Sequence, residues 1–211
     1  MRYKTLQSTV ALLATTGKVT SFPNTRQVSK MTVPSKMNRS WGALEPLPGA
    51  NSFPLIRIYM KDDGTFPNNS DYPLILYQEA FQGSEQEATK AIKSYGWTTP
   101  WAWGVHPFHH YHSTAWELLL CVSGNAQVQL GGPTGPTIEV KSGDLILAPP
   151  GFAHKQVTAS GDFTLLGSYP SPVHIDTLRG APTEAQRKSI SECQAPSKDP
   201  VFGMDLAPFY E

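Results

Sequence analysis

The sequence predicts an all-β domain, a sandwich or a barrel, with one short helix ahead of most of its strands. From residue 100 onward, short apolar runs alternate with turn signals such as Ser-Gly, Gly-Gly-Pro and Lys-Ser-Gly-Asp. Short strands at this regular spacing are typical of sandwiches and barrels. The 19 prolines and 17 glycines among 211 residues favour many turns over long helices.

The chain divides into three predicted segments. Residues 1–50 carry no sustained periodicity and end in the Pro/Gly-rich stretch "LEPLPGANSFP", which indicates a basic N-terminal extension or linker. Residues 51–180 are predicted to form the barrel. Residues 181–211 are predicted to be a C-terminal extension that packs on it.

Charge is distributed unevenly along the chain. Residues 1–44 contain seven Lys/Arg and no Asp or Glu, which leaves 10 basic and 17 acidic residues for the remainder. An acidic globular part repels phosphate backbones, so no nucleic-acid partner is expected. The basic leader has the composition of an organelle transit peptide; the alternative is a disordered or loosely docked extension.

Two further observations concern the compartment. No apolar run approaches the roughly 20 residues that span a bilayer, so no membrane association is expected. Two cysteines, Cys121 and Cys193, do not make a disulfide framework and favour a reducing environment. We therefore expect an intracellular, cytoplasmic protein, with organelle targeting by the basic N-terminus as the alternative.

The elements before residue 100 follow from local patterns. "FPLIRIYM" (53–60) and "LILYQEAF" (74–81) indicate two strands separated by turn residues. Ser84 followed by Glu87 is a capping box, which predicts a helix over 84–95 that Gly96 ends.

Two elements follow from the patterns after residue 100. "NAQVQLGGPTGPTIEV" predicts a hairpin with alternating arms, and Thr183 predicts the cap of a second helix over 182–191.

Four of the six histidines lie within seven positions, 106–112. His110 and His112 are two apart on a predicted strand, so their side chains share one face, while His109 and Tyr111 face the other way. Glu117 opens the next strand, and a hairpin would return its carboxylate to the imidazoles. Two histidines and a carboxylate suit a divalent first-row metal, whereas the plain alternative is a solvated, histidine-rich loop.

A fourth ligand would have to come from another strand. Outside the cluster the chain has only His154 and His174. His154 follows an apolar strand and a Pro-Pro-Gly bend and leads into another strand. A sheet rolled into a barrel could place that strand opposite the first histidines.

The spacing of these residues resembles the first conserved motif of the cupin superfamily. That motif is matched by Gly104, five residues, His110, one residue, His112, four residues, Glu117, six residues and Gly124.

The second cupin motif is matched by Gly143, five residues, Pro149, one residue, Gly151, two residues and His154. Thr158 stands where the motif usually ends in asparagine, a difference that concerns strand packing. Residues 53–180 further resemble single-domain, YjlB-like cupins, whose activity is mostly unassigned.

The resemblance implies a cupin jelly-roll barrel that holds one divalent transition metal per chain. The implied ligands are His110, His112, Glu117 and His154. Iron(II) is our first expectation for the cofactor, with manganese(II), nickel(II) and zinc(II) as alternatives, since this ligand set accepts all four. A six-coordinate ion with four protein ligands keeps two positions for water, dioxygen or a bidentate substrate.

Several residues near the implied ligands are candidates for the substrate pocket. Leu119 and Cys121 share a strand face with Glu117, Gln156 shares one with His154, and His106 shares one with His110 if the strand is unbroken. A group of aromatic side chains could wall a pocket for an apolar substrate, or be barrel core or dimer surface. They are Trp97, Trp101, Trp103, Phe108 and Trp116.

The expected function is that of a mononuclear metal enzyme, most simply a dioxygenase-type oxidoreductase acting on a small organic substrate. One alternative is a metal-assisted isomerase, cyclase or lyase, and another is a non-catalytic small-molecule binder or sensor, because the fold alone does not choose among them. A homodimer is compatible with the clustered aromatic side chains as a dimer surface.

Overall fold

The computed structural model describes residues 41–42, 44–47, 54–98, 100–170, 174–200 and 203–206. The chain divides into two units, Met1–Thr32, which lies outside the described residues, and Val33–Glu211. The described part contains ten strands and two helices, whose bounds in chain order are β1 Glu45–Leu47, β2 Leu55–Ile58, β3 Leu74–Tyr77, α1 Glu85–Ser94, β4 Trp101–Trp103, β5 Glu117–Ser123, β6 Asn125–Leu130, β7 Thr137–Lys141, β8 Leu145–Ala148, β9 His154–Ala159, β10 Thr164–Ser168 and α2 Glu184–Glu192.

The strands form two antiparallel sheets, which confirms the predicted all-β class. The large sheet has seven strands in the order β1-β2-β3-β8-β5-β10-β4, and the small sheet has three in the order β7-β6-β9. The predicted hairpin is the β6–β7 pair, in which Val128 lies opposite Ile138. Of the helices in the described ranges, none has the length and apolar character that a membrane crossing needs.

Side chains on the two faces of the large sheet belong to two separate apolar clusters. The cluster shared with the small sheet, the inner core, consists of Ile58, Leu74, Leu76, Val105, Leu119, Cys121, Ala126, Val128, Leu130, Ile138, Val140, Ile146, Ala148, Phe152 and Leu165. The cluster shared with α1, the outer core, consists of Leu55, Ile75, Tyr77, Ala88, Ile92, Trp97, Trp116, Leu118, Leu120, Leu145, Leu147, Leu166 and Leu206. Successive side chains of a strand face opposite sides, so β5 contributes to both.

Both predicted helices are present, with the predicted caps. The Ser84 hydroxyl accepts from the backbone N–H of Glu87, and the Glu87 side chain accepts from the Ser84 backbone N–H. Thr183 and Gln186 make the same reciprocal pair at the start of α2. Because a capping box satisfies donors that the helix itself leaves open, both starts can be recognised from a few residues.

Two sequence expectations differ from the structure. The strand β1 lies inside segment 1–50, predicted as an extension or linker; it pairs with β2, so the sheet begins earlier than the predicted boundary. The predicted strand and hairpin around the clustered histidines are also wrong. His110 makes only an isolated bridge to His154, and β5 instead pairs with β8 and β10.

Candidate metal centre

Three separate parts of the chain bring the predicted ligands together. His110 and His154 exchange two backbone hydrogen bonds, of 3.2 and 3.0 Å, which hold the histidine segment against the small sheet. The backbone carbonyl of His112 accepts from the N–H of Gly151 at 2.7 Å. Glu117 arrives from the other side, as the first residue of β5 in the large sheet. The carboxylate therefore meets the imidazoles across two sheets.

The four side chains converge on one point. One ligand atom from each of His110, His112, Glu117 and His154 lies within 4.8 Å of the others. Glu117 Oε2 is 3.3 Å from His112 Nε2 and 3.0 Å from His154 Nε2. All four residues are at most 5% exposed.

The second nitrogen of each imidazole faces a backbone carbonyl. Nδ1 of His110 is 3.3 Å from the carbonyl of Phe108, and Nδ1 of His154 is 3.1 Å from that of Phe152. Nδ1 of His112 makes the same kind of contact with the carbonyl of Asp176. Because a carbonyl only accepts, each Nδ1 carries a hydrogen, and each Nε2 is the nitrogen left for a metal.

The donor set fits a divalent transition metal. Among the described residues, neither His112 Nε2 nor Glu117 Oε2 has a hydrogen bond of good geometry, although both atoms are buried. Buried polar atoms without partners are costly, and a cation at the centre of the cluster would satisfy both. Three imidazoles and one carboxylate are ligands that iron, manganese, nickel and zinc all accept.

Protonation of the metal-free cluster is uneven. Burial, followed by the charge of His154, lowers the pKa of His110 to about 2. Burial opposes charge on His112 as well, but the Glu117 carboxylate outweighs it and raises the pKa of His112 to about 9. Burial would raise the pKa of Glu117, yet His112 and His154 hold it well below its usual range. An entering metal ion would therefore displace a proton from His112.

A cavity of about 450 Å³ opens onto the ligands. This size suits a small organic molecule. Besides the four ligands, it is lined by Trp101, Ala102, Trp103, Gly104, Val105, His106, Leu119, Tyr169 and Thr177. Trp103 is 75% exposed, so the cavity reaches the surface near the edge strand β4.

Some of the predicted pocket residues line this cavity, and others support its lining. His106 and Leu119 are part of the lining. Phe108 stacks on His106, with ring centroids 4.7 Å apart. The Gln156 side chain accepts from the backbone N–H of Val105 at 3.2 Å, so it holds a lining segment in place.

Three of the predicted pocket residues lie elsewhere. Trp116 belongs to the outer core, where the centroid of its ring lies 5.3 Å from that of Tyr72. The prediction that Trp116 lines the pocket is therefore wrong. Trp116 immediately precedes β5 and faces away from Glu117. Cys121 shares the face of Glu117 but lies within the inner core, where burial raises the pKa of its thiol to about 12. Trp97 is likewise an outer-core residue.

Sequence reasoning missed two residues that contact the ligands. The hydroxyl of Tyr169 donates to Glu117 Oε1 at 2.9 Å. Period-two alternation from Leu165 through Gly167 would have placed Tyr169 on the inner face, so a signal existed. Asp176 holds His112 through a backbone carbonyl, and its carboxylate accepts from the backbone N–H of Ser113 at 2.7 Å. A main-chain contact of this kind leaves no pattern in the sequence.

Comparison with known proteins gives one clear relative. The chain is 39% identical over 147 residues to the uncharacterized protein YjlB of Bacillus subtilis (strain 168), which covers 69% of this chain and 88% of that protein. No model of a known protein family matches the chain.

The solved structures that match the chain have lower identity. A Klebsiella pneumoniae protein with a double-stranded β-helix domain is 15% identical, with a TM-score of 0.31, over 73% of this chain and all of that one. Oxalate decarboxylase of Bacillus subtilis is 14% identical, with a TM-score of 0.30, over 64% of this chain. Procruciferin of Brassica napus is 13% identical, with a TM-score of 0.31, over 52% of this chain. The chain spans 29% and 23% of the latter two.

Proposed function

This chain belongs to the YjlB protein family, and we propose that it is a mononuclear metal-dependent cupin enzyme, a dioxygenase-type oxidoreductase that acts on a small organic substrate. The observation that carries the proposal is the convergence of three imidazole nitrogens and one carboxylate oxygen beside a cavity. A purely structural metal site is usually closed by protein ligands, whereas this one adjoins a space large enough for a substrate.

The residues around the cavity have separable roles in this proposal. His110, His112, His154 and Glu117 would hold the ion, and the backbone carbonyls at Nδ1 orient the imidazoles. Iron(II) bound there would supply the dioxygen chemistry that amino-acid side chains do not provide.

Apolar side chains form much of the remaining wall. Trp101, Val105 and Leu119 would exclude water and hold the apolar part of a substrate.

The lining contains few groups for moving protons, which favours oxygen chemistry. Burial and the neighbouring Glu117 raise the pKa of Tyr169, so its phenol stays protonated. Apart from Tyr169 and the ligands, His106 is the one titratable residue in the described lining.

His106 supports a second candidate function, a metal-assisted isomerase, cyclase or lyase. The centroid of its ring lies 4.7 Å from that of His110, at the open side of the cavity. Burial lowers the pKa of His106, so the imidazole is neutral near pH 7 and can accept a proton from a substrate.

The proposal is tested by loading the protein anaerobically with iron(II) and adding nitric oxide, a stand-in for dioxygen. We expect the high-spin iron–nitrosyl signal in electron paramagnetic resonance, and we expect a bidentate substrate to perturb it. His154→Ala should lose both the iron and the signal, while His174→Ala, an exposed histidine outside the cluster, should keep both.

Two outcomes would reject the proposed dioxygenase function. Iron that binds without forming a nitrosyl would indicate a site closed to dioxygen. A protein that retains zinc and refuses iron would favour the isomerase, cyclase or lyase alternative, in which His106→Ala should abolish turnover without removing the metal.

A further inference from the structure

The two oxygens of the Glu117 carboxylate have different surroundings. Oε1 accepts a hydrogen bond from the Tyr169 hydroxyl at 2.9 Å. Oε2 lies 3.3 and 3.0 Å from the Nε2 atoms of His112 and His154 and has no hydrogen bond of good geometry among the described residues. One oxygen is therefore occupied by a phenol, and the other faces the point where the imidazoles converge.

The direction of the Tyr169 hydroxyl is set by its partner. An ionised carboxylate can only accept, so the hydrogen of the phenol points to Glu117. The indole of Trp101 lines the cavity together with this phenol.

Gly167 makes room for this arrangement. It pairs with Trp101 across β10 and β4, and a Cβ at this position would lie only 2.0 to 2.6 Å from three indole carbon atoms. Any larger residue would displace the indole from Tyr169. Tyr169 also meets the ring of His112 edge-on, with centroids 5.4 Å apart, so the phenol is held against two of the four ligands.

We propose that Tyr169 is a positioning residue that restricts Glu117 to binding the metal through Oε2 alone, which keeps one more coordination position available to ligands from the cavity. This inference rests on the metal site of the proposed function. A carboxylate can bind a cation with one oxygen or with both. While Oε1 accepts from the phenol, it is held away from the ion; without that donor, a buried, unsatisfied oxygen would turn to the nearest cation.

The substitution Tyr169→Phe tests the inference, because it removes only the hydroxyl. Both proteins are loaded with manganese(II), and the waters bound to the ion are counted from the broadening of its electron paramagnetic resonance lines in ¹⁷O-enriched water. We expect one fewer water in Tyr169→Phe than in the unsubstituted protein.

Tyr111→Phe is the matched control. Tyr111 stands between His110 and His112 in the chain and is also buried, but its hydroxyl donates to the backbone carbonyl of Gly180 at 3.1 Å. The Tyr111→Phe protein should therefore keep as many waters on manganese(II) as the unsubstituted protein.

A bidentate probe gives a second readout. Acetohydroxamate needs two neighbouring positions on the ion, so Tyr169→Phe should weaken its binding roughly tenfold or more. Azide needs one position and should bind both proteins alike. Tyr111→Phe should bind both probes as the unsubstituted protein does.

The outcomes separate this inference from the proposed function. If the unsubstituted protein binds no manganese(II) or iron(II), the metal site and the inference both fail. If it binds manganese(II) and Tyr169→Phe shows the same water count, only the role of Tyr169 is overturned. Should Tyr169→Phe not fold, the water count of the unsubstituted protein decides: two waters on manganese(II) are expected, and a single water would mean that Glu117 binds through both oxygens and would overturn the inference.

Discussion

The two faces of strand β5 are both buried, yet they serve different purposes. Leu118 and Leu120 face the outer core, which joins the large sheet to α1. Glu117 and Leu119 face inward, where the apolar core ends at four buried ionisable side chains and a cavity. Neighbouring residues of one strand thus belong either to a layer of aliphatic and aromatic side chains or to the inner face that carries the candidate metal centre.

This contrast indicates how a small domain can accommodate a costly site. Buried charges destabilise a fold unless they are paired or bound to a metal. Here they occupy one end of the inner core, while the outer core consists of aliphatic and aromatic side chains, with no carboxylate, amine or imidazole among its members. We therefore expect substitutions on the outer face to change stability, and substitutions on the inner face to change metal and ligand binding.

The largest expected effect is the difference in stability between the variants Leu118→Ala and Leu119→Ala. Leu118→Ala leaves a void in a fully buried core and should lower the free energy of unfolding by about 2–5 kcal/mol, with metal content unchanged. Leu119→Ala should cost less stability, because its gap merges with the cavity, and should change ligand binding instead. Urea denaturation and metal analysis measure both. Loss of metal from folded Leu118→Ala would show that the two faces are not independent.

The pH dependence of the metal-free protein tests the inner face alone. The pKa of His112 is raised from 6.5 to about 9 in the folded state. Its contribution to the free energy of unfolding is therefore fully present below pH 6.5 and is lost as pH rises to about 9. The contribution amounts to about 3 kcal/mol at most. His110, with its pKa lowered to about 2 in the folded state, opposes this trend near pH 6.5, where the unfolded histidine still binds part of a proton, and adds no slope once pH is well above 6.5.

The metal-loaded protein should behave in the opposite way. Metal binding requires neutral imidazoles, so affinity should rise with pH over the same range. Melting temperatures of chelator-treated and metal-loaded protein between pH 6 and 9 would show the two trends. A metal-free protein whose stability rises from pH 7 to 9 would mean that His112 is not protonated beside Glu117.

A smaller effect is expected at Asp176, which supports the inner face from the C-terminal segment. Asp176→Ala removes the carboxylate that fixes Ser113 and should loosen the carbonyl that orients His112. Losing such outer contacts typically weakens metal affinity by about 10- to 100-fold. Titration with a fluorescent metal chelator measures this. Asp162→Ala removes an exposed carboxylate that accepts a hydrogen bond from the Ser160 hydroxyl, and it should leave the metal affinity unchanged.

The smallest effect is expected at the helix that covers the outer core. Ser84→Ala removes the N-cap of α1 and should lower the free energy of unfolding by about 1 kcal/mol. Because α1 packs on the outer core through Ala88 and Ile92, metal affinity should stay the same. Denaturant unfolding beside metal titration provides the check; a change in affinity larger than the change in stability would contradict the separation of the two faces.

The sequence predicted features that depend on near neighbours in the chain. The first helix was identified from a capping box four residues long, the second from Thr183 as its cap, and the β6–β7 hairpin from alternation around a glycine-rich turn. The period of two placed His110 and His112 on one face of a predicted strand; the structure has no strand there, yet it brings both side chains together with Glu117 and His154. Each of these depends on backbone geometry that a few consecutive residues determine.

The tertiary structure decided which partners those residues meet. It replaced the predicted hairpin at Glu117 with a meeting of two sheets, and it placed Trp116 in the outer core. It also brought Tyr169 to Glu117, 52 positions away, and Asp176 to His112, 64 positions away. Such contacts are set by how the two sheets pack and by where the C-terminal segment crosses them. No local pattern of residues encodes them, because a phenol or a backbone carbonyl becomes a ligand's partner only once the chain has folded around it.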